Sequence, residues 1–276
     1  MVKKSSVFSN IYIFLVMLFL YLPIIILVVF SFNQSKYGGT WTGFTLKWYH
    51  ELFRDKDIVK SLYSTLTVAG INCVVSTVIG TLAAIGIDAM GERGKKFTLN
   101  MSSIPMVNPD IVIGVSLISL YSILKFQKLG YTTLILAHIT FCVPYVVFAV
   151  LPKLKQLDPN LEEAARDLGA TPWQTFFKVI LPEIKPGIVS GALMSITLSL
   201  DDFIVSFFTT GSGVSTLSIK VYSMTKRGLS PKINALTTLM LLVLVTLMVI
   251  IQIRNSREKK KLKHPIFDDE DEKTIM

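Results

Sequence analysis

Residues 158–182, DPNLEEAARDLGATPWQTFFKVILP, form a polar interval between two long apolar segments. The first half predicts a short helix, because Asp158 is a suitable N-cap, Pro159 suits the first helical position and Gly169 suits the end. Apolar residues recur along it with helical spacing; they are Leu161, Ala164, Ala165 and Leu168. We therefore expect an amphipathic helix followed by a tight turn.

The second half predicts another short helix. Thr171 is a suitable N-cap, Pro172 occupies the first position and Gln174 completes a capping box. Apolar residues again recur with helical spacing; they are Trp173, Phe176, Phe177 and Ile180. We expect Pro182 to end this helix.

The polar face of the first predicted helix is mostly acidic. Glu162, Glu163 and Asp167 accompany a single arginine, Arg166. These side chains cannot enter hydrocarbon, and helices that lie on a membrane surface are usually rich in Lys and Arg instead. The helix pair therefore predicts a surface that docks on another protein outside the membrane.

Apolar segments dominate the rest of the chain. Of 276 residues, 51% are hydrophobic and 17% are charged, which is fewer charges than soluble domains carry. Six segments approach the roughly 20 residues that a helix needs to cross hydrocarbon; they are residues 11–32, 66–87, 103–124, 132–151, 187–208 and 235–253. The first is too long for a signal peptide, so we interpret it as a retained span. The sequence predicts an all-α membrane protein with six transmembrane helices, in one domain (1–253) followed by a charged tail (254–276).

The basic residues predict the orientation of the spans. Most of the 28 Lys and Arg residues lie in loops on the side of the two termini. The positive-inside rule therefore places both termini, and the loop 152–186, in the cytoplasm. We interpret the net charge of +9 as topology rather than as a nucleic-acid surface, and we expect the basic half of the tail to lie against anionic lipid.

Prolines and small residues predict the shape of the spans. Prolines should interrupt or kink them; they are Pro23, Pro105, Pro109 and Pro144. Small residues should let the second and fifth spans approach their neighbours closely; they are Gly70, Gly80, Thr81, Ala83, Ala84, Ser190, Gly191 and Ala192. Cys73 and Cys142 lie in apolar segments far from any metal-binding pattern, so we interpret them as structural and expect no metal site.

Three carboxylates lie within the predicted spans. Asp110 is in the third, and Asp201 and Asp202 are in the fifth. Charges at membrane depth are costly, and neither span holds a Lys or Arg that would neutralise them. The pattern favours a path for a cationic substrate. For Asp110 the alternative is a structural role, in which it complements the N-terminal dipole of a helix that restarts after Pro109.

The other candidate path residues are more ambiguous. Neighbours such as Asp201 and Asp202 point about 100° apart on a helix, so we expect one to face the path and the other to bond within the protein. Ser199 is in reach of the path, although a serine that bonds its own backbone is the alternative. Trp48, in the first external loop, fits an interfacial aromatic belt as well as a position on the path.

The loop 152–186 also carries a spaced motif: EAA, three residues, G, nine residues, a hydrophobe, one residue and LP. It resembles the EAA loop of the inner-membrane permeases of binding-protein-dependent ABC importers, with valine where isoleucine is usual. The matching residues are Glu163, Ala164, Ala165, Gly169, Val179, Leu181 and Pro182.

That resemblance implies the type I importer permease fold in a bacterial cytoplasmic membrane. It implies that the first loop helix fits a cleft on an ATP-binding subunit, with Glu163 as a polar contact and Gly169 as the turn. The chain has no GxxxxGK[ST] pattern, so we expect it to be no enzyme and to hold no cofactor, with ATP and Mg on the partner. The implied partners are two ATP-binding subunits, a second permease and an extracellular or periplasmic binding protein.

Five further segments resemble one branch of that family, the second permeases of spermidine/putrescine importers. They are Leu22–Asn33, Gly43–Tyr49, Asn108–Val112, His138–Val147 and Leu198–Gly211. In that branch, acidic residues along the path are the expected contacts of polyamine amino groups, which agrees with the charge argument. We interpret His138 as a packed polar residue rather than a proton relay.

Three alternatives stay open on the sequence. The cargo could be another cation, such as iron, whereas an anion would call for Lys or Arg within the spans. A secondary transporter would usually carry an internal repeat, which we do not find, and would leave the EAA loop unexplained. A structural membrane protein would not need three intramembrane carboxylates.

Overall fold

The computed structural model describes residues 7–35, 40–126, 128–226, 228 and 230–261, and within these the side chains of residues 7–9, 247 and 250–261 are not described. Helices dominate, as the sequence predicts. They are α1 (Val7–Phe30), α2 (Lys47–Arg54), α3 (Lys56–Asp88), α4 (Glu92–Val107), α5 (Asp110–Ile123), α6 (Tyr131–Leu154), α7 (Leu161–Asp167), α8 (Pro172–Thr175), α9 (Leu181–Asp201), α10 (Ile204–Thr209), α11 (Leu217–Thr225) and α12 (Pro231–Lys261). A π-helical segment, Phe176–Ile180, joins α8 to α9.

The chain forms two compact units, and the predicted domain of residues 1–253 stays a prediction. The first unit comprises Met1–Leu62 and Leu217–Val243. Its core consists of buried apolar residues from both segments, which are Trp48, Leu52, Ile58, Leu217, Ala235 and Leu236. An ion pair also links the two segments, with 2.6 Å between Lys232 Nζ and Asp55 Oδ2.

The second unit comprises Tyr63–Thr216 and Leu244–Met276, and its most extensive helix contact joins α6 to α9. Val146 of α6 is fully buried there. A Cβ atom added at Gly80 of α3 would lie 2.6 Å from the Val146 Cβ, and one at Gly191 of α9 would lie 3.0 Å from its Cγ1. The predicted close approach is confirmed at these two glycines but not at Gly70, where nothing lies within 4 Å of an added Cβ.

The segment predicted as the third span, 103–124, is divided. Helix α4 ends at Val107 and α5 begins at Asp110, with a bend of 106° between the two helices. Asn108 is extended, at φ −72° and ψ 143°, because the ring of a following proline disfavours helical geometry. The predicted interruption at Pro109 is therefore confirmed, and the pair forms a broken span or a re-entrant loop.

The fifth predicted span, 187–208, is divided as well. Helix α9 ends at Asp201, Asp202 is extended at ψ 127°, and α10 covers only Ile204–Thr209. The other prolines behave differently. Pro23, Pro105 and Pro144 lie inside α1, α4 and α6 without ending them.

The predicted helix pair between α6 and α9 is present, with a correction at its start. Helix α7 begins at Leu161 rather than at Pro159, because the Asn160 N–H donates to Asp158 Oδ1 at 2.9 Å in a turn. The capping box of α8 is confirmed: the Gln174 N–H donates to Thr171 Oγ1 at 3.4 Å, and the Thr171 N–H donates to Gln174 Oε1 at 3.0 Å.

The prediction that Pro182 ends the second loop helix is wrong. Helix α8, the π-helical segment and α9 form one continuous helix, Pro172–Asp201, of 30 residues. Pro182 lies in the first turn of α9, directly after the wider π-helical turns. A proline removes one N–H donor, but the π-helical turns before it already depart from the bonding pattern of an α-helix, and the chain continues as a helix.

Among the described residues, four helices are long and apolar enough to cross a membrane, or five if the bent pair counts as one span. The four are Asn10–Phe30, Lys56–Asp88, Tyr131–Leu154 and Pro172–Asp201, and Pro231–Thr246 is a shorter apolar helix. The predicted count of six and the cytoplasmic termini stay predictions. The predicted domain boundary at residue 253 also stays a prediction. It falls within α12, which extends to Lys261. The acidic part of the tail, together with Lys3 and Lys4, lies outside the described residues.

Candidate functional site

One cavity in the second unit brings the three predicted carboxylates together. It has a volume of about 370 Å³ and is lined by residues of α5, α6, α9 and α10 and of the break between the last two. Asp110, Asp201 and Asp202 all line it, although they come from two distant segments of the sequence. No Lys, Arg or His is among the lining residues in the described part of the chain. The cavity therefore has an acidic character.

Aromatic rings complete the lining, and the sequence analysis missed them. Phe141 and Tyr145 come from α6, and Phe203 comes from the break between α9 and α10. The spacing of four between Phe141 and Tyr145 places them on one helix face, but spacing alone does not tell which face meets a cavity. Carboxylates beside aromatic faces can hold an ammonium group by charge and by cation–π attraction.

Asp110 is exposed and is the first residue of α5, directly after the N-cap Pro109. A carboxylate in the first turn complements the helix dipole, so the structural role considered from the sequence fits its position. The same side chain lines the cavity. The two roles are compatible, because a carboxylate in the first turn keeps its oxygen atoms free for a ligand.

Asp201 and Asp202 differ in their surroundings. Asp201, the last residue of α9, is exposed and has no hydrogen bond or ion pair from its side chain within the described part of the chain. The Asp202 side chain is only 7% exposed. Its carboxylate accepts the N–H groups of Val205 at 3.2 Å and Ser206 at 2.7 Å. The sequence prediction that one of the two would bond within the protein agrees with this arrangement.

Ser199 does not line this cavity. Its hydroxyl is 2.7 Å from His138 Nδ1, and its residue is only 4% exposed. The expected alternative, a bond to its own backbone, is therefore replaced by a bond to another helix. His138 is fully buried, with Nε2 3.0 Å from Ser206 Oγ, which agrees with its interpretation as a packed polar residue. A path role for Ser199 stays a prediction.

Trp48 belongs to the core of the first unit. It is 7% exposed, and its Nε1–H donates to the Asn33 carbonyl at 2.7 Å. The expectation of an interfacial belt residue is wrong, because a belt ring contacts lipid and water whereas this one is covered by protein. Its role as a path residue stays a prediction.

The EAA segment is exposed on α7 and the turn after it. Gly169 adopts φ +83°, so the predicted left-handed turn between the two helices is confirmed, and it favours glycine. Glu163 and Ala164 are exposed. Glu163 has no side-chain partner within the described ranges, whereas its neighbour Glu162 pairs with Arg166 at 2.5 Å. Glu163 is thus available to another protein.

Apolar side chains near the same turn are also exposed. Leu168 is 90% exposed and Trp173 is 73% exposed. At the far end of the motif, Leu181 is half-buried against the core of the second unit, and Pro182 is exposed. The motif is therefore exposed at α7 and the turn after it, whereas Leu181 packs against the core at the start of α9.

Comparison with known proteins identifies the family. The family model described as "Binding-protein-dependent transport system inner membrane component" matches residues 76–260. Among curated relatives, the spermidine/putrescine transport system permease protein PotC of Escherichia coli K12 is 44% identical over 243 residues, covering 88% of this chain and 91% of that protein. The putrescine transport system permease protein PotI of the same organism is 41% identical over 229 residues, covering 81% of this chain and 82% of that protein.

Solved structures share the fold. A bacterial ABC transporter that imports alginate has a chain that matches with a TM-score of 0.69 and 17% identity, over 91% of this chain and 94% of that one. A chain of the MetNI methionine ABC transporter matches with a TM-score of 0.59 and 20% identity, over 75% of this chain and 96% of that one. Both the family model and the relatives cover most of the sequence, and the chain therefore belongs to the inner-membrane components of binding-protein-dependent transport systems.

Proposed function

We propose that this chain is the membrane-spanning permease subunit of an ATP-driven importer of polyamines such as spermidine and putrescine. The observation that carries the proposal is the acidic, aromatic cavity formed by Asp110, Asp201, Asp202 and the rings beside them. The similarity to PotC and PotI, whose names state spermidine and putrescine transport, supports the same substrate class.

The chemistry of the cavity favours an organic cation over a metal ion. A polyamine offers ammonium groups separated by apolar methylene segments, and carboxylates and aromatic rings are suitable partners for both parts. Hard metal ions prefer several oxygen ligands around one point. The described residues include no group of three or more His, Cys, Asp or Glu side chains that could hold a metal ion. Iron therefore fits this site less well than an amine does.

The proposed assembly contains partners that supply energy and substrate. One of two ATP-binding subunits would dock on α7 and α8 of this chain, a second permease would complete the membrane path, and a binding protein would deliver the polyamine from outside. A structure of the alginate transporter in complex with its periplasmic protein provides a precedent for the last contact. Six spans with both termini in a bacterial cytoplasm, as the charge distribution predicts, would place the EAA segment beside the ATPase.

A single helix would connect the two functional ends. The continuous helix Pro172–Asp201 begins in the EAA loop and ends at the cavity. Its 30 residues span about 45 Å at a rise of about 1.5 Å per residue. A displacement of the loop by ATP-driven closure would therefore be transmitted to Asp201 through one element. The site must bind weakly enough to release its substrate. Exposed carboxylates at Asp110 and Asp201, on different helices, are suited to such weak binding.

Uptake of radiolabelled spermidine and putrescine tests this function, in cells that carry the full transporter and lack other polyamine importers. We expect wild-type uptake, its loss in Glu163→Ala and its retention in Glu162→Ala. The two glutamates are adjacent on α7, but Glu162 is already paired with Arg166, so its variant is a matched control. A wild-type transporter that moves no polyamine would contradict the substrate, and equal uptake in both variants would contradict the role of Glu163.

A further inference from the structure

The side chains of Asp201 and Asp202 line one cavity but have different partners. Asp202 accepts two backbone N–H groups from the first turn of α10, those of Val205 and Ser206. Short polar side chains often stabilise a helix start in this way, because the first N–H groups have no partner within the helix. Asp201 makes no such bond within the described residues, and its side chain is exposed. One carboxylate is thus committed to the protein and the other is free.

A buried network extends from Asp202 to neighbouring helices. His138 Nε2 lies 3.6 Å from Asp202 Oδ2 and 3.0 Å from Ser206 Oγ. On its other side, His138 Nδ1 lies 2.7 Å from Ser199 Oγ. His138, Ser199 and Ser206 are all at most 4% exposed. The imidazole of α6 therefore joins the last turn of α9 to the first turn of α10, across the break where Asp202 lies.

Two more contacts hold α10 in this position. Thr133 of α6 donates from Oγ1 to the Thr209 carbonyl at 2.8 Å. Phe208 packs so closely on Gly114 of α5 that an added Cβ would lie 2.8 Å from its ring. Buried polar networks that are fully bonded favour one arrangement, since leaving one group unpaired is costly. The break between α9 and α10, at Asp202 and Phe203, is consequently held in one conformation, and we call it the corner.

We infer that Asp202 is a positioning residue that fixes this corner, and that Asp201 is the carboxylate of the pair that contacts the substrate. The inference rests on the proposed function and assigns its two adjacent acids different roles. The corner sets where the exposed carboxylate of Asp201 and the ring of Phe203 lie in the cavity. The negative charge of Asp202 is directed to the N–H groups of α10, so its contribution depends on an acceptor oxygen rather than on charge offered to a ligand.

Asparagine substitution separates these roles, because asparagine removes the charge and keeps one of the two acceptor oxygens, which can still accept the shorter bond, from the Ser206 N–H. Asparagine and aspartate are comparable helix caps, whereas alanine is much poorer. For Asp201→Asn we expect the KM of polyamine uptake to rise by about tenfold with little change in Vmax, the size typical of one lost charge-assisted contact. For Asp202→Asn we expect a smaller rise in KM than for Asp201→Asn, and a smaller loss of Vmax than for Asp202→Ala, because one of the two bonds to α10 remains.

Alanine variants and a substrate-independent readout complete the test. We expect Asp202→Ala to lower both Vmax and the thermal midpoint of the purified complex, and Asp202→Asn to lower each of them less. Asp201→Ala should leave the midpoint unchanged. If Asp202→Asn raises the KM as much as Asp201→Asn does, the division of roles is overturned. If wild type moves no polyamine, the proposed function fails. The thermal midpoints test the positioning role independently of transport, and equal midpoints for Asp202→Ala and Asp202→Asn would refute it.

Discussion

The contact around Val146 and the turn after α7 are opposite extremes within the second unit. Val146 is fully buried between two glycines, whereas Leu168 is 90% exposed and Trp173 is 73% exposed. Both regions were singled out from sequence patterns, one by small residues and one by a spaced motif. In the first region, the Val146 side chain is covered entirely by other residues of the chain. In the second, Trp173 stacks on Phe177, but most of the Leu168 and Trp173 side chains stays uncovered by this chain, which is what a surface for another protein requires.

The difference teaches which substitutions should affect folding and which should affect coupling. Close packing makes the first region sensitive to a single added methyl group. The exposed turn should tolerate side-chain changes in its own fold and depend only on backbone geometry. Three substitutions test this contrast, a fourth tests an ion pair in the first unit, and each is compared with a control.

Gly80→Ala should have the largest effect on stability. The added Cβ would lie 2.6 Å from the Val146 Cβ, so either α3 or α6 must shift, at a cost of about 2 kcal/mol. Gly70→Ala in the same helix is the control, because nothing lies within 4 Å of an added Cβ there. Thermal unfolding of the purified complex measures both. A midpoint for Gly80→Ala that equals that of Gly70→Ala would contradict the close packing.

Gly169→Ala should cost about 1 kcal/mol, because alanine is strained at positive φ. Gly169 has φ +83°, while Gly91, the control, has φ −61° and open space around it. The strain lies at the turn between α7 and α8, so we also expect weaker stimulation of the partner ATPase by substrate. ATPase assays on the assembled transporter measure this, and equal stimulation in Gly169→Ala and Gly91→Ala would show that the turn geometry is unimportant.

The ion pair between Asp55 and Lys232, outside the candidate spans, predicts a small pH effect. The hydrogen bond from Lys232 holds the pKa of the Asp55 carboxyl below its usual 3.8. A lowered pKa in the folded state means that the stability is present above pH 3.8 and is lost as the pH falls through the lowered value. We expect Asp55→Asn to cost about 0.5 kcal/mol near neutral pH, as for other partly exposed pairs.

Thermal midpoints between pH 7 and pH 3 check this expectation. The difference between wild type and Asp55→Asn should shrink as the solution becomes more acidic. Asp57→Asn is the matched control, because the Asp57 side chain is 78% exposed in its pair with Lys220, so we expect a smaller shift. A difference that grows at low pH would have the wrong sign and would exclude a stabilising pair.

Leu168→Ala should have the smallest effect on stability, no more than about 0.5 kcal/mol, because the side chain is almost fully exposed. Its effect should instead be on assembly. We expect less ATPase to co-purify with Leu168→Ala than with Lys155→Ala, a control at an exposed residue of the same loop. Equal co-purification would show that the apolar surface of this turn does not contact the ATPase.

Much of the candidate site was predictable from the sequence because its signals are local. The capping box of Thr171 and Gln174 depends on bonds between residues three apart, and the turn at Gly169 depends on the backbone of one residue. The three intramembrane acids were recognisable because each lies in a long apolar segment. Such features need no knowledge of what packs against them.

Other features could not be predicted, because they depend on contacts between distant segments. The Asn108–Pro109 break was suggested by the proline, but Pro23, Pro105 and Pro144 carry the same signal and do not end their helices. A proline removes one donor in every case, and only the surroundings decide whether the chain turns or continues. The failure at Pro182 has the same origin.

By itself, the sequence determined the helical class, the membrane-spanning segments in outline, the EAA motif and the acidic residues for which we propose a cationic path. Only the tertiary structure decided that these acids share one cavity with Phe141, Tyr145 and Phe203. It also decided that Asp202 bonds to α10, whereas Asp201 has no side-chain partner among the described residues. The physical reason is that composition and spacing report the environment that each residue requires. Which atoms meet is settled only when α5, α6, α9 and α10 pack together.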